Sequence, residues 1–280
     1  MNRCYVEKVF QETSLKNYWT RIEPLIRKDI EVDLTPETEE TIEIGCSKLG
    51  GRPDLPPTVE WPTEPSSASL SFIGQVNLAE VTSFDQDKLL PSQGWLWFFY
   101  SIDQPWGFDP HDAGKFKVLF NDGPAEQLRR LDYPDDVTED VRFSPSRMGF
   151  LESVSLPSWE NDTIRQIIDQ EEAKDEYFDL TCADRETKLL GYADNIQGEM
   201  ERECALVTHG LYCGNSSGYQ DPRAAEFGKE QDQWQLLFQV GSHEKAGMMW
   251  GDGGRLYYWI KKADLKKRDF SQCWVILQCG

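Results

Sequence analysis

The stretch Arg255-Leu-Tyr-Tyr-Trp-Ile260, which follows the turn sequence Asp252-Gly-Gly254, decides the fold. Leu, Tyr and Ile alternate with Tyr and Trp along it, so both faces of an extended chain are apolar or aromatic. A strand with one solvent-exposed face alternates apolar and polar residues, whereas two apolar faces indicate a central strand covered on both sides. A buried helix would give a similar run, but the short length, the aromatic residues and the preceding turn favour a strand.

Similar apolar runs flank this strand and also occur earlier in the chain. They are short, rich in aromatic and aliphatic residues, and separated by polar segments, as expected for buried strands. The predicted strands are Leu70–Val76, Trp95–Tyr100, Phe116–Phe120, Trp234–Val240 and Cys273–Cys279.

An earlier part of the chain repeats the C-terminal pattern in the same order. The alternative interpretation is that any two aromatic strands look alike, but the shared order of the matches favours a duplication. A duplication predicts two related sheet halves about a pseudo-twofold axis, with equivalent loops that frame one shared groove. The matched segments are Lys48–Gly51 with Lys188–Gly191, Phe72–Val76 with Leu236–Val240, Gly94–Tyr100 with Gly254–Ile260, and Phe116–Phe120 with Cys273–Leu277.

Helical periodicity occurs outside the predicted strands. Residues 1 to about 31 carry apolar side chains at three- and four-residue intervals, with a break at Pro24. An acidic stretch from Trp159 to Tyr177 predicts a helix capped by Asn161 or Asp162.

Three other segments complete the assignment. Residues 32–46 predict a strand because Ile42 and Ile44 alternate with polar residues, residues 198–209 predict a helix, and residues 214–233 predict a mobile polar loop. We therefore expect an α+β fold with mainly antiparallel sheets and internal duplication, as one domain over residues 1–280. Its pseudo-repeats would span about 41–121 and about 186–279, joined by an acidic helical connection at about 122–185.

Charge and composition limit the partners. The formal net charge is -20 at pH 7, which repels phosphate backbones and anionic lipid, so we expect neither nucleic-acid nor membrane binding. A basic protein partner would instead be attracted. The sequence has no apolar run long enough to span a bilayer and no secretory leader, and its seven cysteines lack paired spacing. We therefore expect a cytoplasmic protein with reduced thiols.

Several stretches together match the pattern of a known family: Lys48–Pro56 with Trp61-Pro62, Phe72–Leu78, Gly94–Tyr100, Trp106–Pro110, Lys188–Tyr192, Asn195–Gly198, His209–Gly214 and Met248–Ile260. In these stretches the chain resembles the YwqG-like family, a bacterial group of unknown function. The resemblance implies an α+β protein and supplies no catalytic residues. Family members sometimes lie near toxin genes, which implies an immunity-like role. This chain has Gly191-Tyr-Ala-Asp194 where the family commonly has Gly-Tyr-Pro-Asp, and loss of the proline is expected to loosen the loop.

Patterns that would carry catalysis are weak. The sequence has three histidines, none paired with zinc-site spacing, and no Cys-x-x-Cys motif, so we predict no catalytic residues, no metal and no cofactor. A thiol nucleophile at Cys213 with His209 is an alternative, but Gly210 would interrupt a helix that aligned them.

Candidate ligand-binding residues come from two kinds of loop. Two Trp-Gly loops each carry a carboxylate and would line opposite walls of one cleft, although Asp-Gly is also ordinary hairpin-turn chemistry. The two Lys-Leu loops would add a lysine and an aspartate each; alternatively these lysines lie along the aromatic core or pair with the aspartates. The predicted ligand-binding residues are Lys48, Asp54, Trp106, Asp109, Lys188, Asp194, Trp250 and Asp252.

The combination of high negative charge and weak catalytic patterns favours a non-enzymatic protein that recognises another protein, as an inhibitor or immunity factor. The alternatives are a small-molecule binder or hydrolase that uses the Trp-Gly loops, and a structural scaffold.

Overall fold

One ten-stranded antiparallel sheet forms the body of the protein in our computed structural model, which describes residues 1–182 and 186–280. The strands are β1 (Arg27–Pro36), β2 (Lys48–Leu49), β3 (Asp54–Leu55), β4 (Ser71–Asn77), β5 (Trp95–Tyr100), β6 (Phe116–Asn121), β7 (Arg129–Arg130), β8 (Ser146–Ser155), β9 (Lys188–Leu189), β10 (Trp234–Gly241), β11 (Arg255–Lys261) and β12 (Trp274–Gln278). The helices are α1 (Arg3–Glu12), α2 (Trp19–Ile22), α3 (Leu78–Val81), α4 (Asp162–Ile167), α5 (Glu171–Thr181), α6 (Glu201–Val207), α7 (Ser216–Gln220), α8 (Ala224–Phe227) and α9 (Lys262–Lys267).

The strand order across the sheet is β12-β11-β10-β9-β1-β8-β2-β4-β5-β6. The two long strands β1 and β8 pair at the centre, from Arg27 opposite Ser155 to Pro36 opposite Ser146. Each has a two-residue strand on its other side, β9 or β2, followed by three longer strands. The order is therefore symmetrical about the central pair, and the short strands β3 and β7 form a separate small sheet. The predicted α+β class with antiparallel sheets is confirmed.

The two outer groups of strands pack against each other, so the sheet is nearly closed into a barrel. The ring of Phe98 on β5 lies 4.6 Å from the ring of Phe238 and 5.0 Å from that of Tyr258, measured between centroids. At the edges, Phe116 of β6 stacks edge-on against Trp274 of β12 at 5.0 Å. The predicted strands β5 and β11 are therefore buried on both faces, as their sequences indicate.

The N-terminal helices pack with the helices between the sheet halves. Phe10 and Tyr18 share a buried apolar cluster with Ile164 and Tyr177. The predicted helix from Trp159 to Tyr177 is two helices, α4 and α5, because Ile168 takes extended backbone angles that end the first. The predicted cap is confirmed: the side chain of Asn161 accepts a hydrogen bond from the backbone N–H of Thr163 at 3.0 Å.

The predicted boundary between helix and strand near residue 32 is misplaced, because strand β1 spans Arg27–Pro36. Residues 27–31, predicted to be helical, belong to β1, and the predicted strand over residues 32–46 is confirmed for residues 32–36 and wrong for residues 37–46. Strand β1 ends at Pro36, and Ile42 lies in a turn in which its backbone N–H donates to the carbonyl of Thr38. The alternation that predicted a strand has another cause, since Ile42 is 2% exposed while Ile44 is 53% exposed.

Two further segments differ from the prediction. The connection over 122–185, expected to be acidic and helical, also contains the ten-residue strand β8. Residues 214–233, expected to be a mobile loop, contain α7 and α8, and the hydroxyl of Tyr219 donates to Glu203 at 2.7 Å. Across the described residues, we find no helix with both the length and the apolar character needed to cross a membrane.

Candidate functional site

The first Lys-Leu loop, which begins at Lys48 in strand β2, contributes to a buried cluster of charged side chains. Strand β2 pairs with β4, which brings Lys48 opposite Gln75. The Nζ of Lys48 lies 3.4 Å from Oδ2 of Asp54, and Gln75 both donates to that oxygen at 2.8 Å and accepts from the backbone N–H of Asp54 at 2.9 Å. Arg130 donates from Nε to the other carboxylate oxygen at 2.8 Å. Lys48, Asp54 and Gln75 are fully buried, so every charge here has an opposite charge beside it.

Burial and pairing shift the pKa values of this cluster. Burial lowers the pKa of Lys48, and the neighbouring charge of Asp54 only partly opposes that effect. Burial also disfavours the carboxylate of Asp54, but the hydrogen bond from Arg130 and the charge of Lys48 outweigh it and lower the pKa of Asp54. The carboxylate therefore stays ionised inside the protein.

The second Lys-Leu loop has the same contacts among lysine, aspartate and glutamine, with Asp29 near the lysine at 3.8 Å. The Nζ of Lys188 lies 2.7 Å from Oδ2 of Asp194. Gln239, which pairs with Lys188 across β9 and β10, donates to that oxygen at 3.1 Å and accepts from the backbone N–H of Asp194 at 2.9 Å. In both loops the predicted lysine and aspartate thus pair with each other, and the role of these four residues in ligand binding stays a prediction.

The two Trp-Gly loops meet at the surface. Gln104 joins them: its side-chain N–H donates to the carbonyl of Met249 at 2.9 Å, and its side-chain oxygen accepts from the backbone N–H of Gly251 at 2.8 Å. Gln104 has a left-handed backbone, with φ of 48°, which is uncommon for a residue with a side chain. The bridge fixes the loop that carries Trp106 against the loop that carries Trp250.

Two adjacent cavities open on either side of Gln104. One, of about 190 Å³, is lined by Tyr100, Phe143 and Trp250 among others; the other, of about 550 Å³, is lined by Trp106, Asp109 and Tyr212. Large apolar side chains are exposed in both linings: Ile102 and Met249 in the smaller cavity, and Trp106 and Tyr212 in the larger one. We call this surface, formed by Ile102, Gln104, Trp106, Tyr212 and Met249, the Gln104 face.

Acidic side chains predominate in the lining of the Gln104 face, although Lys115, just outside the lining, pairs with Asp112 at 3.0 Å. Among the described residues that line its two cavities there are four carboxylates and neither lysine nor arginine. The carboxylates are those of Asp103, Asp109, Asp112 and Asp140. A hydrogen bond from the backbone N–H of His111 lowers the pKa of Asp109, and its side chain adds a second contact at 2.8 Å.

The four residues predicted from the two Trp-Gly loops differ in their exposure and in their contact with the two cavities. Trp106 is 45% exposed, whereas Trp250 is 2% exposed and donates from Nε1 to the carbonyl of Gly241 at 2.9 Å. Asp109 lines the larger cavity, and Asp252 lies exposed in its turn without lining either one. The sequence does not predict the roles of Gln104 and Met249, because a single glutamine or methionine carries no signal of a contact between distant loops.

A third cavity, of about 500 Å³, also escaped prediction. Three glutamates at alternating positions, Glu199, Glu201 and Glu203, line it together with Tyr192. Burial raises the pKa of Glu201 to about 7, and the charge of Glu199 adds to the effect. A carboxyl group that is partly protonated at neutral pH can donate or accept a proton, which is the property of a general acid or base.

The thiol alternative is not supported by its surroundings. Burial raises the pKa of Cys213 to about 11, so its thiol is not activated. His209 is engaged elsewhere, since Nδ1 contacts the carbonyl of Ala205 at 2.7 Å and the ring stacks on Phe227. Within residues 1–182 and 186–280, no group of three or more His, Cys, Asp or Glu side chains is placed to hold a metal ion.

The sequence profile of one protein family, described as "Domain of unknown function (DUF1963)", matches residues 47–279. The chain belongs to this family. The DUF1963 match begins one residue before Lys48 and ends just after β12, so it includes both charged clusters and the Gln104 face. Strand β1, at the centre of the sheet, precedes the DUF1963 match. No curated protein matches the chain.

Proposed function

We propose that the protein binds another protein through the Gln104 face, and that the partner presents a basic, partly apolar segment to it. The supporting observation is the pairing of exposed apolar side chains with surrounding carboxylates in the absence of lysine or arginine among the described cavity-lining residues. Tryptophan, tyrosine and methionine are enriched in the centres of protein interfaces, where they supply much of the binding energy.

Two physical features favour such a partner over a small anionic ligand. The net charge of -20 attracts a positively charged segment over a distance and accelerates its encounter. The bridge through Gln104 holds the two loops in place before binding, which reduces the entropy that association would otherwise lose.

We also propose that the two halves of the sheet arose by duplication. The two lysine clusters have matching hydrogen bonds, and β4 and β10 each carry a bulge, at Ile73 and Leu237. At each bulge the carbonyl accepts from the Lys-Leu loop: Gly50 donates to Ile73 at 2.8 Å, and Leu190 donates to Leu237 at 3.3 Å. Random similarity between aromatic strands does not explain shared bulges with shared loop contacts.

The narrower parts of the proposal follow the family resemblance. We propose that this DUF1963 protein is YwqG-like, acts in the cytoplasm, and serves as an inhibitor or immunity factor. An adjacent toxin gene, whose product binds the purified protein, would support this role; binding by an unrelated protein would contradict it.

The binding proposal is tested by capturing a partner from the source cell at low salt, identifying it, and measuring its Kd with purified variants. We expect the W106A/M249A variant to bind at least about tenfold more weakly, which corresponds to about 1.4 kcal/mol. Binding by the wild type should also weaken as salt increases.

Two matched controls remove exposed apolar side chains elsewhere. Tyr5 on α1 is 54% exposed and Leu151 on β8 is 55% exposed, so the Y5A and L151A variants should bind like the wild type. The proposal is wrong if no partner is retained at low salt, or if W106A/M249A and the controls bind alike.

A further inference from the structure

A fourth cavity, of about 590 Å³, lies between the β4–β5 connection and the segment after β11. Its described lining includes four cations, Lys88, Lys262, Lys266 and Arg268, and no carboxylate. The whole chain has 49 acidic and 29 basic side chains, so this lining departs from the average composition. We call it the Lys88 cavity.

Two of the four cations occupy conformationally costly positions. Lys88 and Arg268 have left-handed backbones, with φ of 53° and 61°, where a residue with a side chain costs about 1 kcal/mol or more. Glycine would avoid that cost, yet both positions carry a cation that lines the same cavity. Such an outlier is a reason to look for a function.

Hydrogen bonds fix the backbone at Lys88 and the side chain of Lys262. The carboxylate of Asp85 accepts from the backbone N–H of Leu90 at 2.7 Å, and the backbone N–H of Lys88 donates to the carbonyl of Asp85 at 3.1 Å. Lys262 donates to the carbonyl of Asp232 at 2.7 Å, although it begins α9, where the helix dipole disfavours a cation.

The donors in the cavity are only partly used. Arg268 lies 3.5 Å from a carboxylate oxygen of Asp122, but Lys88 and Lys266 form no ion pair with any described residue. The side-chain N–H2 of Gln235 is buried and has no hydrogen-bond acceptor in the described structure. The lining therefore offers an anion the side chains of Lys88 and Lys266 and the unpaired N–H2 of Gln235 as hydrogen-bond donors.

We propose that the Lys88 cavity binds a small, multiply charged anion through a phosphate group. Lysine is a common phosphate-binding residue, and several cations that line one cavity suit a ligand with more than one negative charge. The ligand is small because a polyanion or an anionic membrane would meet the net charge of -20, whereas at physiological salt a small ion within about 8 Å mainly senses the local cations. Leu90 and Leu265 provide an apolar floor for the rest of the molecule.

The test is isothermal titration calorimetry, which measures the Kd of the full chain for pyrophosphate, inorganic phosphate and citrate at fixed ionic strength. We expect pyrophosphate to bind more tightly than inorganic phosphate, and the K88Q/K266Q variant to bind pyrophosphate at least about tenfold more weakly. The K8Q/K16Q variant removes two exposed lysines from the N-terminal helical region and should bind like the wild type.

Each other outcome contradicts the proposal. Absence of pyrophosphate binding, or equal losses in K88Q/K266Q and K8Q/K16Q, would show that the cavity is not an anion site. Tighter binding of citrate would replace phosphate with a carboxylate as the recognised group. Thermal unfolding of both variants checks that they remain folded.

Discussion

The Gln104 face and the Lys88 cavity each bring together connections from both sides of the sheet. The Gln104 face is formed mainly by the β5–β6 and β10–β11 connections, and the β9–β10 connection adds Tyr212. The Lys88 cavity is formed mainly by the β4–β5 and β11–β12 connections, and strand β10 adds Gln235. Under the proposed duplication these places are equivalent, because β4–β5 corresponds to β10–β11 and β5–β6 to β11–β12. Their described linings nevertheless carry opposite charges.

The comparison indicates that equivalent backbone positions can carry side chains of opposite charge. In each place the backbone provides a recess between two connections, and the side chains decide what it can bind. Trp106 and Trp250 illustrate the point, since they share a Trp-Gly dipeptide but lie in connections that are not equivalent. One ring is half exposed, while the other is packed against Tyr100 and Phe143.

The largest expected effect comes from removing the buried wall of the Gln104 face. The W250A variant should lower the free energy of unfolding by about 3–5 kcal/mol, because it empties a buried site and removes the hydrogen bond to Gly241. W106A should change it by less than about 1 kcal/mol, because that ring is exposed. Urea unfolding measures both, and equal losses would contradict the assigned difference between the two tryptophans.

A substitution in the Lys88 cavity is expected to change the free energy of unfolding by an intermediate amount, and to increase it. Arg268→Gly should raise the free energy of unfolding by up to about 1 kcal/mol, since glycine relieves the left-handed backbone, while pyrophosphate binding weakens. The control Lys8→Gly, inside α1, should instead lower it by about 1 kcal/mol. If R268G is less stable than the wild type, or binds pyrophosphate equally well, the left-handed backbone at Arg268 is not retained for anion binding.

The smallest effect concerns the carboxylate rim of the Gln104 face. Asp109 has a lowered pKa and a side chain that is 41% exposed, so D109N should cost less than about 0.5 kcal/mol at neutral pH. Because the pKa is lowered in the folded state, this stabilisation is present above the ordinary aspartate pKa and disappears as pH falls through the lowered value. Unfolding curves of wild type and D109N should therefore converge in acid; a gap that widens there would contradict the shift.

The sequence predicts the buried strands well and the exposed ones poorly. Strands β5 and β11 are apolar on both faces, so their periodicity is clear. Strand β8 has exposed positions, including Arg147, Leu151 and Glu152, and its pattern is too irregular for a prediction from periodicity. At residues 32–46, a turn with one buried and one exposed isoleucine imitates a strand.

The candidate sites were predictable only where single residues carry a local signal. Trp106, Trp250 and Asp109 stand in Trp-Gly loops, and the sequence therefore marks part of the Gln104 face. The Lys88 cavity gives no such signal, because Lys88 and Arg268 are far apart in the chain and meet only through the near-closure of the sheet. The lysine clusters lie between these cases: their pairing with aspartate was one of two alternatives, and the glutamine that completes each cluster comes from the adjacent strand.

Synthesis on the ribosome reaches the middle of the sheet late. Strand β1 is synthesised early, but it cannot pair until β8 has been synthesised, and its other neighbour, β9, is synthesised later still. Strands β2, β4, β5 and β6 are complete before β8 exists, and they can already pair with one another. The nascent chain therefore carries half a sheet and one solitary ten-residue strand with both edges open, a state in which the growing protein depends on protection from aggregation.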